Sequence, residues 1–148
     1  MAHSGSCLCG AVRYSISETI SETGACHCDM CRRWTGGVFL GVKVSKNGME
    51  VSDDGALGVY ASSPWAERAF CTKCGTSLWY RVTAPGPMQG EYHVGLGGFD
   101  AADGIALTGE IYVDRKPDGY SFAEETHKMT KAQMEAMFAP PEEAGAGS

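Results

Sequence analysis

Cysteines in three short clusters are the residues of this chain whose types and spacing could do chemistry. A closed tetrahedral zinc site takes four thiolates, and the seven cysteines of the chain leave three beyond it. Three thiolates on a second ion leave one coordination position open, which is typical of a reactive metal centre. The clusters are Cys7 and Cys9, then Cys26, Cys28 and Cys31, and finally Cys71 and Cys74.

The odd number of cysteines argues against full pairing in disulfides. Residues 1–5 have neither the basic nor the apolar region of a signal peptide, so we expect a cytoplasmic location. In a reducing compartment, closely spaced cysteines are more often metal ligands than disulfides. We therefore interpret the clusters as metal ligands, with redox dithiols or buried metal-free thiols as the weaker alternatives.

Length and charge exclude several classes of function. The 148 residues fit one domain, which we place at residues 1–140, and the small polar segment 141–148 is predicted to be a disordered tail. The formal net charge of -6 gives no positive footprint for nucleic acid or for a membrane surface. No apolar run approaches the ~20 residues that a membrane span needs.

Two of the clusters have the sequence pattern of zinc knuckles. The C-x-x-C-G run from Cys71 to Gly75 lets two sulfurs reach one ion, and glycine suits the turn that follows. The C-x-C-G run from Cys7 to Gly10 matches it. Each pair is followed by a glycine and then by a predicted strand. The two pairs together therefore predict a four-sulfur cage across a sheet.

The middle cluster differs, because its three sulfurs lie within six residues and can reach a single ion from one loop. We expect a water, a thiol or a substrate atom in the fourth position, with His27 and His93 as weaker candidate ligands. Spacing alone also allows the opposite division of the sulfurs. In that division Cys7, Cys9, Cys26 and Cys28 form the closed site, and Cys31, Cys71 and Cys74 form the open one.

Two arginines, Arg32 and Arg33, directly follow the middle cluster. Guanidinium groups would offset the negative charge of a three-thiolate site, and they can hold carboxylates bidentately. A solvated basic pair is the alternative. Trp34 comes next and completes the candidate substrate-binding residues, although core packing is the more frequent role of the aromatic side chains Trp34, Phe39, Trp65, Trp79 and Tyr92.

Short β-like runs separated by turn residues must position these groups. Their spacing, without βαβ alternation, predicts a mainly β domain with mainly antiparallel pairing. In the run that starts at Ala11, Val12, Tyr14 and Ile16 alternate with polar residues and should face the core. The predicted strands are Ala11–Ile16, Gly37–Val44, Leu57–Tyr60, Ala66–Phe70, Ser77–Val82, Tyr92–Leu96 and Ala106–Val113.

One helix is predicted near the C-terminus. Thr130 and Gln133 have the spacing of a capping box. Met134, Met137 and Phe138 then share one helical face. A following Pro-Pro pair should end the helix.

Three stretches, from Gly5 to Tyr14, from Cys26 to Gly36 and from Phe70 to Leu78, carry the clusters in a recognisable order and spacing. They resemble the glutathione-dependent formaldehyde-activating enzyme family, also called the centromere protein V/GFA domain. The resemblance covers the chain from about Gly5 to about Tyr120. It implies an Mss4-like fold of stacked antiparallel sheets with zinc knuckles.

The resemblance also implies which sulfurs belong together. It assigns two Zn²⁺ ions per chain, with three sulfurs as ligands of a catalytic zinc and four as ligands of a structural zinc. The activity that it implies is that of a carbon–sulfur lyase, the synthesis of S-(hydroxymethyl)glutathione from glutathione and formaldehyde. The catalytic ligands would be Cys26, Cys28 and Cys31, and the structural ligands would be Cys7, Cys9, Cys71 and Cys74.

The late strand departs from the family pattern. Related proteins often carry a proline and a histidine before it and a tryptophan after it, whereas here it runs from Thr108 to Val113 and Tyr120 stands near the tryptophan position. We therefore carry over only the class of substrate, a thiol such as glutathione together with a small aldehyde. A non-enzymatic, zinc-stabilised binding module or glutathione carrier is the alternative function.

Overall fold

Short strands joined by turns make up most of the chain, as its runs of β-like sequence indicate. The computed structural model describes residues 3–138. Two short α-helices, two 3-10 turns (Leu96–Gly98 and Val113–Arg115) and eleven strands are present in this part of the chain. In chain order the strands and α-helices are β1 (His3–Ser6), β2 (Arg13–Ile16), β3 (Glu22–Cys26), α1 (Asp29–Thr35), β4 (Phe39–Val44), β5 (Met49–Ser52), β6 (Leu57–Ser63), β7 (Ala66–Cys71), β8 (Ser77–Val82), β9 (Tyr92–Gly95), β10 (Ala106–Ile111), β11 (His127–Met129) and α2 (Lys131–Phe138).

The contacts divide the chain into two compact units. Within the described residues, the first unit comprises residues 3–23 and 40–106, and the second comprises residues 24–39 and 107–138. The single domain over residues 1–140 stays a prediction, and the predicted tail at 141–148 lies outside the described residues. No helix between residues 3 and 138 is long and apolar enough to cross a membrane.

Two antiparallel sheets bury the core of the first unit. One has the strand order β1-β2-β5, and strands β4-β9-β8-β7-β6 lie side by side in the other. Val12, Tyr14 and Ile16 are buried, while Arg13 between them is exposed, which confirms the predicted alternation. Tyr14 meets Trp79 of the second sheet edge to face, with ring centroids 5.9 Å apart. The mainly β fold is therefore confirmed.

Core packing is expected for the five aromatic side chains named above, but one of them does not follow this expectation. Trp79 is buried, but Trp65, at the turn between β6 and β7, is 56% exposed. Its backbone carbonyl accepts hydrogen bonds from the N–H groups of Thr83 and Ala84. The turn is thus held through its main chain, and the indole is left at the surface.

Strands β3, β10 and β11 and both helices belong to the second unit. Strand β10 lies between β3 and β11, and its pairing with β11 is parallel, with Gly109 opposite His127. Helix α1 was not predicted, because its residues were expected in a loop. It ends at Gly36, whose N–H donates to the carbonyl of Arg32 and whose φ of 83° favours glycine.

The predicted capping box of α2 is confirmed. The N–H of Thr130 donates to Gln133 Oε1 at 2.8 Å, and the N–H of Gln133 donates to Thr130 Oγ1 at 3.2 Å. Only part of the predicted apolar face is buried, since Met134 is 8% exposed and Met137 is 59% exposed. The predicted Pro-Pro stop lies outside the described residues.

Candidate metal centres

Four sulfurs of the first unit come together from two turns, one after β1 and one after β7. Their Sγ atoms all lie within 4.8 Å of one another. The separations are 3.7 Å between Cys7 and Cys9 and 3.8 Å between Cys9 and Cys71. A tetrahedral zinc with Zn–S bonds of ~2.3 Å would place its sulfurs about 3.8 Å apart. Cys7, Cys9, Cys71 and Cys74 therefore fit a closed zinc site.

Each of the two turns has the local geometry of a zinc knuckle. The N–H of Val12 donates to Cys7 Sγ at 3.3 Å, and the N–H of Cys74 donates to Cys71 Sγ at 3.4 Å. Gly10 and Gly75 follow with φ values of 83° and 80°, which side chains rarely adopt. The glycines let each turn reverse so that backbone N–H groups point at sulfur.

Hydrogen bonding favours the ionised form of one sulfur of this cage, Cys74. The Thr76 hydroxyl lies 3.1 Å from Cys74 Sγ. This hydroxyl and the N–H of Thr76 lower the pKa of Cys74 to about 5. Metal binding requires deprotonated cysteine, so a thiol that ionises readily favours the metal-bound state. At Cys9, in contrast, the backbone N–H of Ala11 is outweighed by burial and the neighbouring sulfurs, which raise the pKa to about 11.

The remaining three sulfurs lie in the second unit, where β3 ends and α1 begins. Their Sγ atoms also lie within 4.8 Å of one another. Cys28 is the N-cap of α1, and its Sγ accepts the N–H of Cys31 at 3.3 Å. Cys26 and Cys31 are buried, whereas Cys28 is half-buried. The group is thus most accessible at Cys28.

The close approach of these three sulfurs opposes their ionisation. Hydrogen bonding to Cys28 and Cys31, together with burial, raises the pKa of Cys26. Three neighbouring thiolates repel one another unless a cation lies between them. Cysteine donors favour a soft or borderline ion, and three of them with one accessible side match a zinc site with an open position.

The sulfurs therefore fall into the two groups that the family resemblance implies, and no histidine belongs to either group among the described residues. His27 Nε2 lies 2.9 Å from Glu110, and its Nδ1 faces Tyr120. His93 contacts Glu91 at 3.0 Å and stacks on Tyr80 with ring centroids 4.4 Å apart. Both candidate histidine ligands thus have other partners.

Glu110 is a buried carboxylate that the sequence analysis did not identify. It accepts hydrogen bonds from Thr126 Oγ1 at 2.6 Å and from His27 Nε2 at 2.9 Å. Burial alone would raise the pKa of Glu110, but these hydrogen bonds outweigh it and lower the pKa. A single glutamate within a strand carries no spacing signal, so only the fold pairs it with His27.

A cavity of about 430 Å³ adjoins the middle and the C-terminal end of α1 in the second unit. Both predicted arginines line it. The lining also includes Pro117 and Tyr120, which were not predicted to bind substrate. Trp34 is not among the lining residues but contacts the ring of Phe39, with centroids 5.2 Å apart. The cysteines are likewise absent from the described lining, which comprises His27, Arg32, Arg33, Gly36, Gly37, Val38, Pro117 and Tyr120.

An exposed ion-pair network surrounds the first turn of α1. Arg115 donates to both oxygens of Asp29, at 2.8 and 3.2 Å. Arg32 lies 3.5 Å from the same carboxylate. The hydrogen bond from Arg115 is the main cause that lowers the pKa of Asp29. Arg33, in contrast, has no ion pair among those found in residues 3–138, so its charge can face the cavity.

Comparison with known proteins identifies the family. The model of the glutathione-dependent formaldehyde-activating enzyme family matches residues 2–115, which include all seven cysteines. The chain belongs to this family. The match ends before Pro117 and Tyr120, so it covers only part of the cavity lining.

Two relatives have names consistent with this family. A Schizosaccharomyces pombe protein described as an uncharacterized lyase is 32% identical over 128 residues, covering 86% of this chain and 90% of that protein. A Halomonas elongata protein, provisionally named as a glutathione-dependent formaldehyde-activating enzyme, is 33% identical over 84 residues, covering 51% of this chain and 53% of that protein. The family name and those of both relatives indicate a lyase or a formaldehyde-activating enzyme.

A crystal structure of a Rhodobacter sphaeroides protein shares the fold. Its TM-score is 0.53 at 21% sequence identity, and the alignment covers 71% of this chain and 99% of that one. At this identity the likeness supports the fold alone.

Proposed function

We propose that this protein is a zinc-dependent carbon–sulfur lyase-type enzyme that acts on an adduct of glutathione, or of another thiol, with formaldehyde or a small aldehyde. The observation that carries the proposal is the position of the three-sulfur group. It lies at the start of α1, and the two residues after Cys31 are the arginines that line the cavity. A metal site and an anion-binding cavity thus share one short helix.

Zinc fits both sulfur groups by donor type and spacing. Cys26, Cys28 and Cys31 would hold the zinc of the reaction site, while the four sulfurs of the first unit would hold a structural ion. When bound by three sulfurs, zinc supplies a Lewis acid at which a thiol ionises at neutral pH and a carbonyl is polarised.

The residues of the cavity would bind and orient the two reactants. Glutathione carries two carboxylates, and the guanidinium groups of Arg32 and Arg33 are suited to hold one of them. Gly36 and Gly37 have no heavy atoms within 4 Å of the position where a Cβ would stand, so a ligand can approach the backbone closely. Thiols add to aldehydes without a catalyst, so positioning and thiol activation are what the protein must contribute.

Because this addition proceeds without a catalyst, the alternative function is that of a carrier that only binds glutathione in the cavity. A protein that only binds glutathione would also retain the adduct that forms in solution. Rate measurements separate the two functions, because a carrier changes the bound population whereas an enzyme changes the rate of exchange between glutathione and its adduct.

The deciding experiment is exchange NMR spectroscopy on glutathione and formaldehyde, with the zinc content of the protein measured in the same preparation. We expect about two zinc ions per chain and faster exchange with wild-type protein than without it. Cys28→Ser should retain one zinc and lose the acceleration. Unchanged exchange together with calorimetric binding of glutathione would establish a carrier. No response in either measurement would show that the substrate is different.

A further inference from the structure

The metal and arginine assignments leave Tyr120 without a role. Its side chain lines the cavity together with the two arginines, and 37% of the residue is exposed. It stands beyond residue 115, where the match to the family model ends. The family comparison therefore assigns nothing to this phenol.

Neighbouring side chains hold Tyr120 in place. Lys116 donates a hydrogen bond to its carbonyl, and the ammonium group lies 4.6 Å from the centroid of its ring. Phe122 meets the ring edge to face at 5.9 Å. The phenol oxygen lies 3.4 Å from His27 Nδ1. A side chain constrained in this way loses little conformational freedom when a ligand binds to it.

Glu110 determines which nitrogen of His27 carries a proton in the neutral imidazole. A carboxylate only accepts hydrogen bonds, so His27 Nε2, 2.9 Å from Glu110 Oε1, carries a proton. In the neutral imidazole the other ring nitrogen, Nδ1, is then an acceptor. With this tautomer the phenol O–H of Tyr120 donates to Nδ1, and the free lone pairs of the phenol oxygen can accept a hydrogen bond from a ligand.

We propose that Tyr120 is a substrate-binding residue whose phenol oxygen accepts a hydrogen bond from the hydroxyl group of a thiol–aldehyde adduct, and that His27 and Glu110 are positioning residues for it. The identity of the adduct rests on the function proposed above. The adduct has a hydroxyl group that the free thiol lacks. This contact therefore distinguishes the two, whereas the arginines bind the carboxylates that both share.

The electrostatic surroundings support this arrangement. Burial, followed by the negative charge of Glu110, raises the pKa of Tyr120 above its ordinary value of 10.0. The phenol thus keeps its proton near neutral pH. Its oxygen stays uncharged, which suits a hydroxyl ligand.

The first test compares Tyr120→Phe, which removes only the oxygen, with Tyr60→Phe as a matched control on strand β6, where the side chain is exposed. We expect Tyr120→Phe to lower the catalysed exchange rate by about tenfold. Its calorimetric Kd for glutathione alone should stay within about twofold of the wild-type value. Equal exchange rates in wild type and Tyr120→Phe would overturn the assignment.

A second readout does not require turnover. In protein labelled with 13Cζ-tyrosine, the Tyr120 resonance is the one missing from Tyr120→Phe. We expect it to move when formaldehyde is added to the glutathione-saturated protein, but not with glutathione alone or with formaldehyde alone. Glu110→Gln should move the same resonance in the ligand-free protein, and an unchanged resonance there would contradict the positioning role.

The two readouts separate the possible failures. A moving Tyr120 resonance without accelerated exchange would refute the proposed catalysis and leave the contact standing. Accelerated exchange with an unmoved resonance and an unaffected Tyr120→Phe would refute the contact and leave the catalysis standing. If neither readout responds, both proposals are wrong.

Discussion

The Nε2 atom of His27 lies 2.9 Å from Oε1 of Glu110, and both side chains are buried. The pair joins residues 83 positions apart in the sequence. It connects the segment between two of the three clustered cysteines with strand β10 of the same unit. The three-sulfur group is therefore connected to a strand that contributes no sulfur to it.

Removal of the Glu110 carboxylate should destabilise the protein. Glu110→Ala leaves the buried N–H of His27 and the hydroxyl of Thr126 without their acceptor. We expect the free energy of unfolding to fall by about 1–3 kcal/mol in urea denaturation of the zinc-loaded protein. Glu125→Ala, at an exposed glutamate, is the control and should change little. Equal stability of the two variants would show that the buried pair contributes nothing.

The same carboxylate should make stability depend on pH in the acidic range. Its pKa is lowered in the folded state from an ordinary value of 4.5. The unfolded state therefore takes up the proton first as pH falls. The stabilisation is complete above about pH 4.5 and is lost as pH drops through the lower folded-state pKa. The stability difference between wild type and Glu110→Gln should shrink over that window, and a difference independent of pH would argue against the cause.

The two sulfur groups should respond differently to the loss of one cysteine. Cys74→Ser opens the four-sulfur cage that joins two turns of the first unit, so we expect loss of its zinc together with unfolding. Cys28→Ser should lose only the zinc of the second unit and keep a cooperative unfolding transition. Zinc content and circular dichroism of both variants measure this. A folded Cys74→Ser protein would mean that the cage does not determine the fold.

Arg33 should contribute to glutathione affinity. Its guanidinium group lines the cavity and is exposed to solvent. We expect Arg33→Gln to weaken calorimetric glutathione binding by about three- to tenfold, and less at high salt because the ion pair is screened. Arg13→Gln on strand β2 makes the same chemical change outside the cavity. Equal weakening in both variants would indicate only a general effect of net charge.

Two adjacent glycines offer a test of the α1 terminus. Neither has atoms within 4 Å of a built Cβ, but only Gly36 has a left-handed φ, +83°. Gly36→Ala should therefore cost about 1 kcal/mol of stability, whereas Gly37→Ala should be nearly neutral. Thermal unfolding of the two variants measures the difference. Equal melting temperatures would show that the helix can end in another conformation.

Local patterns account for the parts of the fold that the sequence predicts well. The alternation that ends at Ile16 follows from the two-residue period of a strand, and the capping box of α2 needs only three residues of separation. The knuckles are also local, since glycine follows each short cysteine pair. Helix α1 escapes prediction because a cysteine caps it and because it is only seven residues long.

The parts of the site that the sequence does not reveal are those that only the fold brings together. Glu110 and Tyr120 reach His27 from 83 and 93 positions away. Neither residue type is unusual in its own segment. Trp34, in contrast, stands next to the arginines in sequence, yet its ring contacts Phe39, because neighbouring residues of a helix point in different directions. Its substrate-binding role stays a prediction.

The Sγ atom of Cys28 both caps helix α1 and belongs to the three-sulfur group. Cys28 Sγ accepts the N–H of Cys31 as the helix cap, and Cys28 is also the most exposed of the three grouped cysteines. An oxidant or alkylating agent that modifies this sulfur would remove a proposed metal ligand and loosen the first turn of α1 in one event. The helix also carries Arg32 and Arg33, so the same modification would disturb the two side chains proposed to hold a carboxylate.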